Sequence, residues 1–210
     1  MVKRAIVVIF AVALVLLVLT VSIGLPIYLR PFYYAHIDAL ELDRASGFTK
    51  AQIRTAYDEV LDYLTLPGKD FGTGELAHSA EGAAHFADCK VLFDLNAGVL
   101  LGSAVVAAAI FLLRKPCKLP SLRRATFWAG TGALMLPVVV GSLAALDFDR
   151  AFVIFHHIFF PGKDNWVFDY FADPIIRVLP QVFFMNCAIF IGAGLILFSC
   201  ALLWLGRKRK

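Results

Sequence analysis

Four stretches of this chain carry no Asp, Glu, Lys or Arg: residues 5–28, 95–113, 125–146 and 185–206. Each is long enough to cross roughly 30 Å of hydrocarbon as a helix. Backbone N–H and C=O groups find no water in lipid, and a single helix satisfies them within one segment. Composition points the same way. The 210 residues are 60% hydrophobic and their mean hydropathy is +0.76, too few polar residues to cover a soluble domain.

The charges between the spans orient the chain. The first four residues, the connection 114–124 and the tail 207–210 hold 11 of the 20 Lys and Arg and none of the 16 Asp and Glu. Positive charge marks the cytoplasmic side, which places both termini inside and both long connections outside. Four spans also require both ends on one side. The expected fold class is therefore an all-α membrane protein, with four transmembrane helices capped by an extracellular, interfacial domain formed from two long loops. The boundaries are a first span at 5–28, an outer loop at 29–94, a second span at 95–113 and an inner loop at 114–124. A third span at 125–146, an outer loop at 147–184, a fourth span at 185–206 and a cytoplasmic tail at 207–210 complete a single membrane domain, residues 1–210. The net charge of +4 averages an acidic exterior with a basic interior, so it gives no reason to expect nucleic acid.

The first span has too long an apolar core for a secretion signal and no small-x-small cleavage site, so it is expected to stay as an anchor. It has no cysteine to be lipidated. Cys89, Cys117, Cys187 and Cys200 are scattered, and only Cys89 approaches the outer face, so no extracellular disulfide framework is available.

In the first outer loop, Tyr28, Phe32, Tyr33 and Tyr34 suit the interfacial aromatic belt. Thr49 can cap a helix whose Ile53, Tyr57, Val60 and Leu64 share one face, lying on the membrane or against the span ends. Next, "HSAEGAAHFADCK" (78–90) sets His78, Glu81, His85 and Asp88 on one face of a helix expected to start near Glu75 and enter the second span. The second outer loop is dense in aromatics and should dip into the interface.

All five histidines (His36, His78, His85, His156, His157) fall in the outer loops, and imidazole is the side chain best suited to proton transfer near neutrality. His85 reads either as a polar residue at the water line or as a general base oriented by Glu81 or Asp88. His156 and His157 sit among phenylalanines, where two imidazoles are costly unless hydrogen-bonded. His36 reads as interfacial and His78 as a solvated helix position. A zinc sphere drawing on Glu81, His85, His156 and His157 is the competing arrangement, but HExxH is absent and the signal is weak. Ser46 and Ser79, the serines of the outer loops, sit in no nucleophile elbow. Asp88 beside Cys89 raises rather than lowers that thiol's pKa. Chemistry here would use a nucleophile carried by the substrate, with no cofactor.

The block "HFADCK" (85–90) resembles the H-[MF]-x-D-V-[KR] element of the lipoprotein intramolecular transacylase family, small four-span bacterial membrane proteins. "FHHIFFPGKDNWVFDYFADPIIRVLPQVFF" (155–184) is similar to that family's second signature, F-H-x-[IL]-F-F-P-G, then W-x-F, D-P-[LI]-I-R and P-x-x-F-F. Cys89 stands where the pattern has Val, and Gln181 where it has an acid.

The resemblance implies a reaction in which the sn-2 acyl chain of a diacylglyceryl-cysteine moves to that cysteine's own α-amino group. His85 would be base and then acid, oriented by Glu81 or Asp88. His156 matches the motif histidine, with His157 in reserve. Arg177, or a protonated His156, would stabilise the oxyanion. Trp166 and Asp173, carried by the W-x-F and D-P elements, are implied supporting residues. The expected partners are a diacylated lipoprotein and membrane lipid, the protein acting as a monomer in a bacterial cell membrane with its site on the extracellular face and no metal. A metal-dependent membrane hydrolase and a non-catalytic scaffold or small channel are the alternatives.

Overall fold

The computed structural model describes residues 1–207. The rest of the tail, residues 208–210, lies outside the described residues. The described residues form helices and no strands, with element order α1 (Val2–Tyr28), α2 (Arg30–Ala39), α3 (Leu42–Ser46), α4 (Lys50–Thr65), α5 (Ala80–Leu113), α6 (Arg123–Leu146), α7 (Phe148–Phe159), α8 (Ile175–Val178) and α9 (Gln181–Gly206). Helices α1, α5, α6 and α9 are long and apolar enough to cross a membrane. Large side chains on them stay exposed, among them Leu101, Leu112, Leu143, Ile189 and Leu197. A continuous apolar surface of that extent needs lipid around it.

The chain divides into two compact units. One comprises residues 1–25, 96–147 and those from 189 onward; the other comprises 26–95 and 148–188. In the first, small residues let helices approach closely. Phe10 and Ala13 pack with Ala107, Leu122 and Ala125, and Val18 packs with Ala133 and Leu195. A Cβ on Gly130 would come within 2.9 Å of the Ser199 carbonyl oxygen and the Leu203 nitrogen. Side-chain packing of this kind replaces the hydrophobic drive that lipid cannot supply.

The second unit has its own core, built from Tyr33, Ile37, Leu42, Ile53, Tyr57, Val60, Leu64, Phe86, Ile175, Val178 and Phe183. Full burial of each such aliphatic or aromatic side chain stabilises by about 1.5–3 kcal/mol. Helix α4 begins at the expected cap: Thr49 Oγ1 accepts from the Gln52 amide and the Gln52 side chain accepts from the Thr49 amide. Its apolar face is buried in this core, not laid on lipid. Tyr33 also departs from the interfacial belt expected for it. It is 0% exposed, stacks on Tyr57 with ring centroids 3.7 Å apart and donates its hydroxyl hydrogen to the Val178 carbonyl at 2.7 Å. A ring that large, with a carbonyl to receive its hydroxyl, gains more in the core than at the water line.

Helix α5 starts at Ala80, not near Glu75. Ser79 ends the preceding loop as an N-cap, its Oγ accepting from the Gly82 amide at 2.9 Å and its carbonyl from the Ala83 amide at 3.1 Å. Upstream, Thr73 Oγ1 donates to the Leu76 carbonyl at 2.6 Å, which closes a turn incompatible with continuing the helix. The second outer loop is likewise more regular than expected, since it contains α7 and the short α8.

Candidate active site

His85 lies on α5, ten residues before the apolar stretch that starts at Leu95, and His156 on α7. Each is only 6% exposed, and their ring centroids are 5.8 Å apart. Aromatic rings enclose the pair. Phe160 stands edge-on to His85 at 4.9 Å and Phe168 at 5.5 Å. Trp166 stacks on His156 at 4.5 Å, and Phe152 lies 4.3 Å from it. Trp166 is itself fixed by its indole N–H, which donates to the Lys163 carbonyl at 3.0 Å.

Burial sets the charge state. His85 is pushed down to about 4, first by loss of solvent and then by His156, against smaller favourable influences from Asp88 and Asn165. His156 is also held below the usual imidazole range by burial, partly offset by its bond to the Phe152 carbonyl. Both rings are therefore neutral at pH 7. The tautomer of His156 follows from its contacts. A carbonyl oxygen only accepts, so the 2.7 Å contact between His156 Nδ1 and Phe152 O puts the proton on Nδ1 and leaves Nε2 as the basic atom.

The other expected residues separate into those drawn to this pair and those held elsewhere. Asp88 is close to it, but its carboxylate accepts from Lys163 Nζ at 2.5 Å and from Asn165 Nδ2 at 3.1 Å, not from His85. Lys163 foremost holds the Asp88 carboxyl below the usual carboxylate range. Glu81, expected to orient His85, is exposed and its carboxylate has no hydrogen bond or ion pair among the described residues; helical spacing gave it the right face, but no partner draws it in. His157 is exposed and meets Trp166 edge-on at 5.9 Å. Arg177 does not reach the imidazoles. Its Nε donates to the Tyr170 carbonyl at 3.1 Å and its guanidinium lies over the Tyr170 and Phe48 rings. The four side chains of a zinc sphere do not converge, and the described residues contain no group of three or more His, Cys, Asp or Glu placed to hold a metal ion.

Asp173 has a structural position of consequence. It is 3% exposed, and its carboxylate accepts from the Ser79 amide at 2.7 Å and the Ser79 hydroxyl at 2.8 Å. A carboxylate at a helix N-terminus meets both free amides and the positive end of the dipole. It can approach because residue 82 is glycine: a Cβ there would stand 2.3 Å from Asp173 Oδ1. Gln181, which stands where an acid was expected, donates from Nε2 to Asp149 Oδ1 at 2.7 Å, a bond that an acid could not make without taking up a proton.

Two residues that enter the site, Asn165 and Lys163, were not legible in the sequence, whereas Phe168 belongs to the W-x-F element. Asn165 and Lys163 join Asp88 from a loop 75 or more residues away, and Phe168 closes one side of His85. Cys89 places Sγ 3.4 Å from His85 Nε2. Its thiol is pushed up to about 12, mainly by burial and secondarily by Asp88.

Four membrane-length helices and a buried pair of neutral imidazoles define a membrane-integral protein equipped for proton transfer. A family model described as "lipoprotein intramolecular transacylase Lit" matches residues 8–184. The chain belongs to that family, whose members are acyltransferases. The membrane integral lipoprotein intramolecular transacylase Lit from Bacillus cereus is 26% identical and superposes with a TM-score of 0.88, over 97% of this chain and 93% of that one. A form of that protein carrying an H85A mutation, in its own numbering, matches with a TM-score of 0.83 at 25% identity, over 98% of this chain and 92% of that one. A relative from Aquifex aeolicus (strain VF5), described as an uncharacterized protein, is 28% identical over 134 residues, 63% of this chain; the match spans 58% of that relative's length.

Proposed function

We propose that this protein is a lipoprotein intramolecular acyltransferase. It moves the sn-2 acyl chain of a diacylglyceryl-cysteine to that cysteine's α-amino group and leaves a lyso-form lipoprotein. The observation that carries this reading is the enclosed His85–His156 pair, 5.8 Å between centroids, in a chain of this family.

The chemistry follows from what the site offers. The free α-amine, with a pKa of roughly 8, attacks the ester carbonyl in its neutral form. The nitrogen of the tetrahedral adduct is then an ammonium, acidic enough for even a weakly basic imidazole to take its proton. His85 acts as that base and afterwards donates the proton to the departing glycerol oxygen. His156 shares the enclosure and, when it holds a proton, stabilises the oxyanion. No protein nucleophile is needed. The Cys89 thiol stays protonated, and the Ser79 hydroxyl is engaged by Asp173. Because amine and ester belong to one molecule, closing the ring supplies much of the entropic advantage, and the enzyme's share is orientation. The outer leaflet is the site of action by the charge asymmetry of the connections. Exposed apolar groups on and beside the α7 segment, Ile158, Phe159, Val167 and Phe171, suit contact with acyl chains.

The test is mass spectrometry of the N-terminal lipopeptide of a lipoprotein co-expressed with the protein. The expected result is unchanged total mass with one acyl chain shifted from glycerol to nitrogen. His85→Ala and His156→Ala should each lower the converted fraction at least a hundredfold. Full conversion by both variants would end the assignment.

A further inference from the structure

A half-buried network beside His85 has an unused side that points to its tautomer. Asp88 is ionised and its oxygens can only accept, so the Asn165 amide must present NH2 to it, as the 3.1 Å contact requires. That fixes the other end of the amide as a carbonyl. Asn165 Oδ1 is buried with no hydrogen-bond partner, and so is His85 Nδ1. The two residues are near enough for Asn165 hydrogen bonding to favour a protonated His85, although the bond is not closed in the resting geometry. An orphan acceptor beside an orphan ring nitrogen is satisfied in one way only: Nδ1 must carry the hydrogen. The opposite side of the ring is compatible with this. The Cys89 thiol is protonated and lies 3.4 Å from Nε2; either tautomer can make that contact, and because sulfur is a weak acceptor, S–H donation to a bare Nε2 uses it better.

We propose that Asn165 is a positioning residue that holds His85 as the Nδ1–H tautomer, itself held by the Lys163–Asp88 ion pair, so that Nε2 is the atom that takes and returns the proton. It acts through His85 and need not touch the substrate. Both imidazoles would then have Nε2 as the bare nitrogen, His85 through an amide and His156 through the Phe152 carbonyl, and on His85 that atom takes a proton when the weak Cys89 contact gives way. The catalytic meaning of this arrangement rests on the acyltransferase reading; the tautomer itself does not.

The experiment is 15N NMR of the full chain labelled at histidine nitrogens, in detergent micelles at pH 7, with His85 assigned from its absence in His85→Gln. In the wild type and in Cys89→Ala, His85 is expected to show a protonated Nδ1. In Cys89→Ala/Asn165→Leu it should change to Nε2–H, the form free imidazoles favour. Asn165→Leu alone should lower transacylation about 10–100-fold in kcat, the range typical for partners that orient a functional imidazole, with little change in KM or thermal midpoint. A wild-type His85 protonated at Nε2 would overturn the proposal, as would a tautomer that flips in Cys89→Ala or stays fixed in the double variant. Should the double variant fail to fold, Cys89→Ala/Asp88→Asn reads the same point: freeing the amide to turn is expected to give a mixture of tautomers, and an unmixed Nδ1–H signal counts against the assignment. Because the NMR needs no lipoprotein, a correct tautomer with no acyl shift would retain the positioning role while rejecting the acyltransferase reading.

Discussion

A histidine reveals its chemistry in sequence only as a residue type; its working pKa comes from what surrounds it. Four groups bear on His85 besides burial: His156 and Lys163, which disfavour its charge, and Asp88 and Asn165, which favour it. Burial wins because the nearest opposite charge is already committed to Lys163. An NMR titration should therefore find His85 neutral down to about pH 4, and His156→Gln should raise that midpoint by removing a like charge. A wild-type midpoint near the ordinary 6.5 would contradict the enclosure. The sign for stability follows. The folded-state value is depressed, so the unfolded chain binds the extra proton, and stability complete above about pH 6.5 declines as pH falls through 4. For the reaction, kcat/KM should climb about tenfold per pH unit between 5 and 7 as the substrate amine loses its proton, with no bend near 6.5. His85 and His156 were legible because few other residue types move protons at neutrality. Asn165 was not, since an amide in a loop has no periodicity or charge to single it out.

At the scale of elements, legibility followed local signals. Helix α4 was readable because Thr49 caps it and its apolar residues recur at helical spacing. Helix α7 was hidden: aromatics on several faces read as an interfacial loop, and its helical period becomes plain only once buried His156 is set apart from exposed Ile154, Phe155 and Ile158. The start of α5 was misjudged because its decisive cap partner, Asp173, is 94 residues beyond Ser79. That long-range cap makes a prediction. Gly82→Ala forces a methyl to within 2.3 Å of Asp173 Oδ1, so either the carboxylate or the first turn of α5 must move. The thermal midpoint should fall, and acyl transfer should fall with it, because His85 is three residues further along the same helix. Asp173→Ala leaves the Ser79 amide and hydroxyl without their acceptor and should cost about 1–3 kcal/mol in unfolding free energy. Gly82→Ala in that background should then be nearly harmless, the non-additivity expected of residues in contact. A fully additive pair in chemical or thermal denaturation would mean that the close approach is not what glycine is there for.

For the whole molecule, the four spans were legible because membrane crossing demands a long run without charge, a signal that survives ignorance of every contact. What hydropathy could not place was where the helices end. All four helices begin before the spans read from hydropathy, and α1, α5 and α6 take in charged residues there. The direction of insertion rests on another whole-molecule property, the concentration of 11 basic and no acidic residues in the two termini and the connection 114–124. Cys117 lies in that connection, free and exposed, while Cys89 and Cys187 are half-buried and Cys200 falls within the apolar stretch of α9. A charged, membrane-impermeant maleimide should therefore modify Cys117 in inverted membrane vesicles and leave it unreacted in intact spheroplasts. A cysteine placed at exposed Lys69, in the first long connection, should show the reverse. If Cys117 reacts from the outside and Lys69→Cys does not, the positive-inside assignment is inverted. The paired imidazoles would then belong to cytosolic segments, and an acyl transfer on lipoproteins of the outer leaflet could not be their work.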